Sequence, residues 1–123
     1  MTYTLQDDAD IVIELGKIPS LNKFYSAQHW AYRSKMKNTW SEVVVTQLSK
    51  YDKQEFTSFS VKMEVNYRYD IDNCIMGIKF ALDAFRREGW VKDDSPKYFQ
   101  KFTIEYNPEL DRDTSRLILR GKK

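Results

Sequence analysis

From Phe59 to Ile71 the chain alternates apolar and polar residues without a break. Phe59, Val61, Met63, Val65, Tyr67, Tyr69 and Ile71 fall on one face of an extended chain. Ser58, Ser60, Lys62, Glu64, Asn66, Arg68, Asp70 and Asp72 fall on the other. A period of two over this length predicts a strand with one buried face. It delivers Asp70 and Asp72 side by side on the polar face, where the pattern changes. From about Asp72 the apolar spacing becomes helical, through Ile71, Ile75, Ile78, Leu82 and Phe85, and Gly89 is a natural stop. Asp93 and Asp94 follow, so carboxylates bracket one helix.

Two aspartates at i and i+2 on a strand repel unless a cation lies between them or one is protonated. Hard oxygen ligands of this kind suit Mg²⁺ or Mn²⁺. The plain alternative is that Asp70 and Asp72 end a strand and cap a helix. At about 100° per residue, Asp72, Met76, Lys79 and Asp83 lie within a helical sector of about 60°. Lys79 is then the cation nearest the carboxylates, placed to stabilise charge on a phosphate or a leaving oxygen. Its plain alternative is an exposed Lys79–Asp83 pair worth about 0.2–0.5 kcal/mol.

Asp70-Ile71-Asp72-Asn73, followed by Lys79, Asp83, Gly89 and Asp93-Asp94, resembles the signature of RusA-type Holliday junction resolvases. Ile18-Pro19-Ser20-Leu21-Asn22-Lys23-Phe24-Tyr25 is similar to that family's P-S-x-N-x-x-Y segment. The resemblance runs from about residue 11 to residue 106. It departs at the lysine: the commonest family spacing puts it where this chain has Met76. Lys79 stands about one turn later and keeps its interval to Asp83. Either Lys79 spans the offset, or the extra residues form a turn before the helix proper.

The rest of the chain fits one small domain, residues 1–123. Asp10 to Leu15 alternates as a strand. Gly16 to Trp30 reads as a loop holding Pro19, Asn22, Lys23, Tyr25, His29 and Trp30. Long loops in small domains are often functional. This one either contacts DNA or is stapled to the core by Phe24 and Tyr25. Residues 31–51 look helical, with Met36, Trp40, Val43, Val44, Leu48 and Tyr51 at helical spacing. Arg33, Lys35 and Lys37 sit in the first turns, a poor place for cations on dipole grounds unless phosphates lie nearby. Lys101–Tyr106 and Arg116–Arg120 read as two further strands. The expected fold is α+β, RusA-like, with a mixed sheet of about four strands and two main helices. The order of the strands in space does not follow from this pattern.

Net charge is only +2, but residues 1–15 carry four acids and no base, while the remaining 108 carry 20 bases against 14 acids. That balance is compatible with a polyanionic partner. The 18 aromatic residues could serve an interface or base stacking. Cys74 is the only cysteine, which fits a reducing cytosol, and its place predicts a core-facing helical residue. No apolar run approaches the length of a membrane helix.

The resemblance implies a homodimeric, Mg²⁺-dependent endonuclease that cuts four-way DNA junctions. Asp70, Asp72 and Asp94 would hold the metal, with Mn²⁺ a plausible substitute. Of Asp93 and Asp94 only one should face the metal, because neighbours in an extended chain point opposite ways; the resemblance favours Asp94. Lys79 would complete the catalytic set. Lys23, Tyr25, Arg33, Lys35, Lys37 and Arg68 are the expected DNA contacts. Two other readings keep the fold: a non-catalytic protein binding branched or single-stranded DNA, and a dimeric interaction module.

Overall fold

A computed structural model describes residues 10–18, 23–24, 30–68, 71–93 and 95–122, leaving aside the side chains of Asp10, Asp72 and Asn73. In chain order the elements are β1 (Asp10–Leu15), α1 (Trp30–Leu48), β2 (Ser58–Asn66), a 3₁₀ turn (Ile71–Ile75), α2 (Met76–Arg87), β3 (Phe99–Tyr106) and β4 (Thr114–Lys122). The α+β class, the mixed four-stranded sheet and the two main helices are as the sequence predicts. No described helix is long and apolar enough to cross a membrane.

The strands lie in the order β1-β4-β2-β3. β4 runs antiparallel to both neighbours, and β2 runs parallel to β3. The registers set Ile11 and Val61 on either side of Leu119, and Ile13 and Met63 on either side of Leu117. These rows form the covered face of the sheet. All six of those side chains are buried, with α1 and α2 packed over them.

β4 accommodates one close approach. Gly121 lies under the Phe56 ring, and a Cβ there would overlap the ring. The last strand is thereby locked against the segment that leads into β2.

The alternation of β2 keeps its phase from Phe59 to Tyr67, with Phe59, Val61, Met63, Val65 and Tyr67 all buried. The strand itself stops at Asn66, short of Ile71. Three backbone and side-chain bonds account for the stop. The loop at 107–113 wraps the strand end, with Asn107 N–H donating to Val65 O (2.9 Å), Asp113 N–H to Asn66 O (2.8 Å) and Asn66 Nδ2 to Leu110 O (2.7 Å). Tyr67 then turns its hydroxyl toward the segment after β1. Ile71 is exposed and begins the 3₁₀ turn.

Tyr67 and Ser115 hold that segment. The Tyr67 hydroxyl accepts from the buried Ile18 N–H at 3.2 Å and lies 2.5 Å from both Gly16 O and Ser115 Oγ. Ser115 Oγ donates to Gly16 O at 3.1 Å. Two neutral hydroxyls thus satisfy backbone groups that have left the ladder.

α2 ends as predicted at Gly89, whose φ is +77°. Trp90 N–H donates to Phe85 O (2.9 Å) and Gly89 N–H to Arg86 O (3.1 Å), the two bonds of a Schellman motif. Trp90 is itself buried and packs against Phe56. The helix is buried more widely than its apolar stripe suggests, because Met76, Phe80, Ala81 and Ala84 join Ile78 and Phe85 inside.

α1 closes the outer edge of the sheet at β1. Gln47 Oε1 accepts from Glu14 N–H at 2.6 Å, and Gln47 Nε2 donates to Glu14 O. The Tyr51 hydroxyl accepts from Val12 N–H at 3.2 Å and lies 3.3 Å from Val12 O. Two side chains imitate a neighbouring strand.

Candidate functional site

The corner between β2 and α2 is built differently from the sequence expectation. β2 ends at Asn66 and Asp72 does not stand on it, so the expected strand pair of aspartates is not formed by that strand. Asp72 lies in the 3₁₀ turn, while Asp70 and Asp94 lie outside the described residues. The turn also upsets the angular argument. A 3₁₀ segment advances about 120° per residue, so Asp72 does not extend the 100° phase of α2. Cys74, in the same turn, is fully buried as predicted.

Met76 and Lys79 differ in burial. Met76 is 2% exposed and belongs to the core. Lys79 is exposed. Both border a cleft of about 270 Å³ between α1 and α2, with Phe24, Lys37, Phe80, Leu82 and Asp83 as the remaining walls. Phe24 closes the cleft floor by an edge-on contact with Phe80, ring centres 5.6 Å apart. Phe24 thus staples the loop after β1 to the core, one of the two roles the sequence left open for it. Lys23 beside it is exposed, and Tyr25 lies outside the described residues.

Charge along the cleft is organised as a chain. Lys37 Nζ lies 3.1 Å from Asp83 Oδ2, Arg86 Nη2 lies 3.5 Å from Asp83 Oδ1, and Arg86 Nη1 lies 3.9 Å from Asp93 Oδ1. Asp83 therefore takes Lys37 from α1 and Arg86 from its own helix. Asp93 is tied back to α2 through Arg86. Exposed pairs like these contribute about 0–1 kcal/mol each, so their effect is placement more than stability.

The other expected DNA contacts lie mostly along the first half of α1, where Lys35 is exposed and Arg33 half-buried. Two rings not in that expected set, Trp30 at 73% and Tyr32, are exposed beside them. The first turn of α1 has no acidic residue to offset its dipole. Arg68 is exposed just past β2. Lys37, by contrast, is engaged by Asp83.

Sequence reasoning missed a second polar cluster. Glu64 is buried on the other face of the sheet, where its Oε1 accepts from Arg116 Nε at 2.6 Å and its Oε2 from Asn107 Nδ2 at 3.0 Å. The Arg116 bond, outweighing the cost of burial, holds the Glu64 carboxyl below its usual 4.5, and Glu64 in turn raises Arg116. In the sequence Glu64 is one more polar residue in an alternating run; only the register of β4 reveals its partner.

Among the described residues no three His, Cys, Asp or Glu side chains gather as a metal site. No known family matches the chain, and no curated protein is significantly similar to it.

Proposed function

We propose that this protein is a metal-dependent endodeoxyribonuclease that resolves four-way DNA junctions as a homodimer. The observation that carries the reading is the contrast at the start of α2. Met76 is buried and Lys79 exposed, so the extra residues relative to the family spacing leave a lysine, not a methionine, at the surface. The 3₁₀ turn at Ile71–Ile75 occupies the place where an added turn would take up those residues.

Asp70, Asp72 and Asp94 would hold the cation. A donor set made only of carboxylates suits Mg²⁺, with Mn²⁺ as substitute. Bound there, the ion would supply Lewis-acid polarisation of a phosphate and acidification of water. The protein's own part is positioning. Lys79 offers a compact ammonium to the phosphate that undergoes cleavage. Arg33, Lys35, Lys23 and Arg68 would neutralise flanking phosphates. Trp30 and Tyr32 would offer rings to unstacked bases at the branch. Lys37 and Arg86 offset the negative charge of Asp83 beside the cleft.

The test is a labelled four-way junction incubated with and without Mg²⁺. Paired symmetric nicks that need the metal are expected, and Asp72→Asn should abolish them while leaving junction binding intact. Tight, metal-independent binding without nicks would instead assign a non-catalytic junction-binding protein.

A further inference from the structure

The two outer edges of the sheet differ. The β1 edge is closed by Gln47 and Tyr51. Among the described residues β3 has a neighbour on one side only. It is eight residues long and contains no proline. Phe102 and Tyr106 are 47% and 56% exposed, and Ile71 of the adjacent 3₁₀ turn is exposed beside them. Natural sheets blunt such edges or use them.

The backbone of β3 fixes which residues face outward. Asn107 N–H is bonded to Val65 O, and Thr103 and Glu105 lie level with Lys62 and Glu64. Peptide groups alternate sides along a strand, so Thr103 and Glu105 turn theirs to β2. Phe102, Ile104 and Tyr106 turn theirs outward.

We propose that a second copy of the chain pairs here, β3 antiparallel to β3, across a two-fold axis at Thr103. The strand's own charges select this register. Centred on Thr103, Lys101 stands opposite the partner's Glu105, and the symmetry repeats the pair. Phe102 stands opposite the partner's Ile104, an aromatic against a β-branched side chain, and these are the hydrogen-bonded positions. Lys101 and Glu105 are both exposed, on the open face of the sheet. Glu105 already has Lys62 Nζ at 3.2 Å on its inner side, so the partner's Lys101 would complete a cationic flank. Sliding by two residues, the smallest shift that keeps each side chain on its face, sets lysine or glutamate against threonine and loses both charge pairs.

The pairing joins two four-stranded sheets into one of eight, with both helical layers on the same face. The 3₁₀ turns, which pack against β3, then flank the axis. The inference supplies the surface for the dimer in the proposed function, but it rests on the sheet and not on the nuclease chemistry.

Light scattering of the wild-type chain at micromolar concentration should give twice 14.7 kDa. Lys101→Glu and Glu105→Lys, made separately, each set like charges face to face and should raise the dissociation constant about tenfold or more. Circular dichroism should show both variants folded. Mixed one to one they face each other with opposite charges throughout and should recover the dimer, as should the double variant Lys101→Glu/Glu105→Lys. A monomeric wild type, a single variant that stays fully dimeric, or a mixture that does not recombine overturns the proposal. Cleavage is not a readout here. A dimer that cuts no junction leaves the pairing standing and defeats the nuclease reading; a monomer that cuts does the reverse.

Discussion

Met76 and Lys79 are three residues apart on α2 and occupy different media. The helix rotates about 300° between them, enough to carry one side chain into the core and the other to the cleft rim. A change of side-chain charge therefore has different consequences at the two sites. Met76→Lys buries an unpaired ammonium and should cost about 3 kcal/mol or more, measured by urea unfolding. Lys79→Ala should change stability by about 0.5 kcal/mol or less, yet depress junction cleavage strongly with affinity within a few fold. Wild-type cleavage by Lys79→Ala would make Lys79 an ordinary surface residue. Tyr67 presents the complementary case of a neutral group with several bonds. Tyr67→Phe keeps the ring in place and removes the hydroxyl that serves Ile18 N–H and Gly16 O, so a loss of about 1–3 kcal/mol is expected. Glu64 adds a pH dependence. Its carboxyl titrates lower in the folded chain than in the unfolded chain, so its contribution is present above the usual glutamate value and fades as pH falls below about 4.5. Unfolding midpoints of wild type and Glu64→Gln should converge as pH drops through that window; a constant gap down to strong acid would exclude the linkage.

At the scale of elements, the periodic patterns were informative wherever one face meets one core. The buried face of β2 and the stripe of α1 follow from that rule, and the stop at Gly89 from the left-handed backbone that glycine alone takes freely. The alternation overran because polar and apolar residues kept alternating by chance through Tyr69 and Ile71. What ends β2 is a loop some forty residues further on, through the Asn66–Leu110 and Asn66–Asp113 bonds, and no local pattern encodes it. The same holds for the site. The pattern singled out Asp72 and Lys79, but the 3₁₀ geometry between them depends on how the corner packs. The partners of Glu64 and Asp83 come from other elements and leave no trace in local spacing. The exposed half of α1 can be tested as a unit. Arg33→Ala with Lys35→Ala should weaken junction binding uniformly across sequences and lower the salt slope by about two. An unchanged slope would remove α1 from the interface.

For the whole molecule, the place of β4 carries a consequence for how the chain comes to be folded. β1 is made before the other three strands, yet among the described residues its one strand neighbour is β4, the latest of them. Ile11 must find Leu119, and Ile13 must find Leu117. Almost the full described length separates those pairs, so the sheet cannot grow outward from a local hairpin. Contacts this remote slow the search, and refolding in about milliseconds to seconds is expected. On the ribosome, β1 must travel as an unpaired apolar strand until β4 emerges. Its company in the meantime is α1, whose Gln47 and Tyr51 lie much closer in sequence and can occupy the backbone of β1 before any other strand is ready.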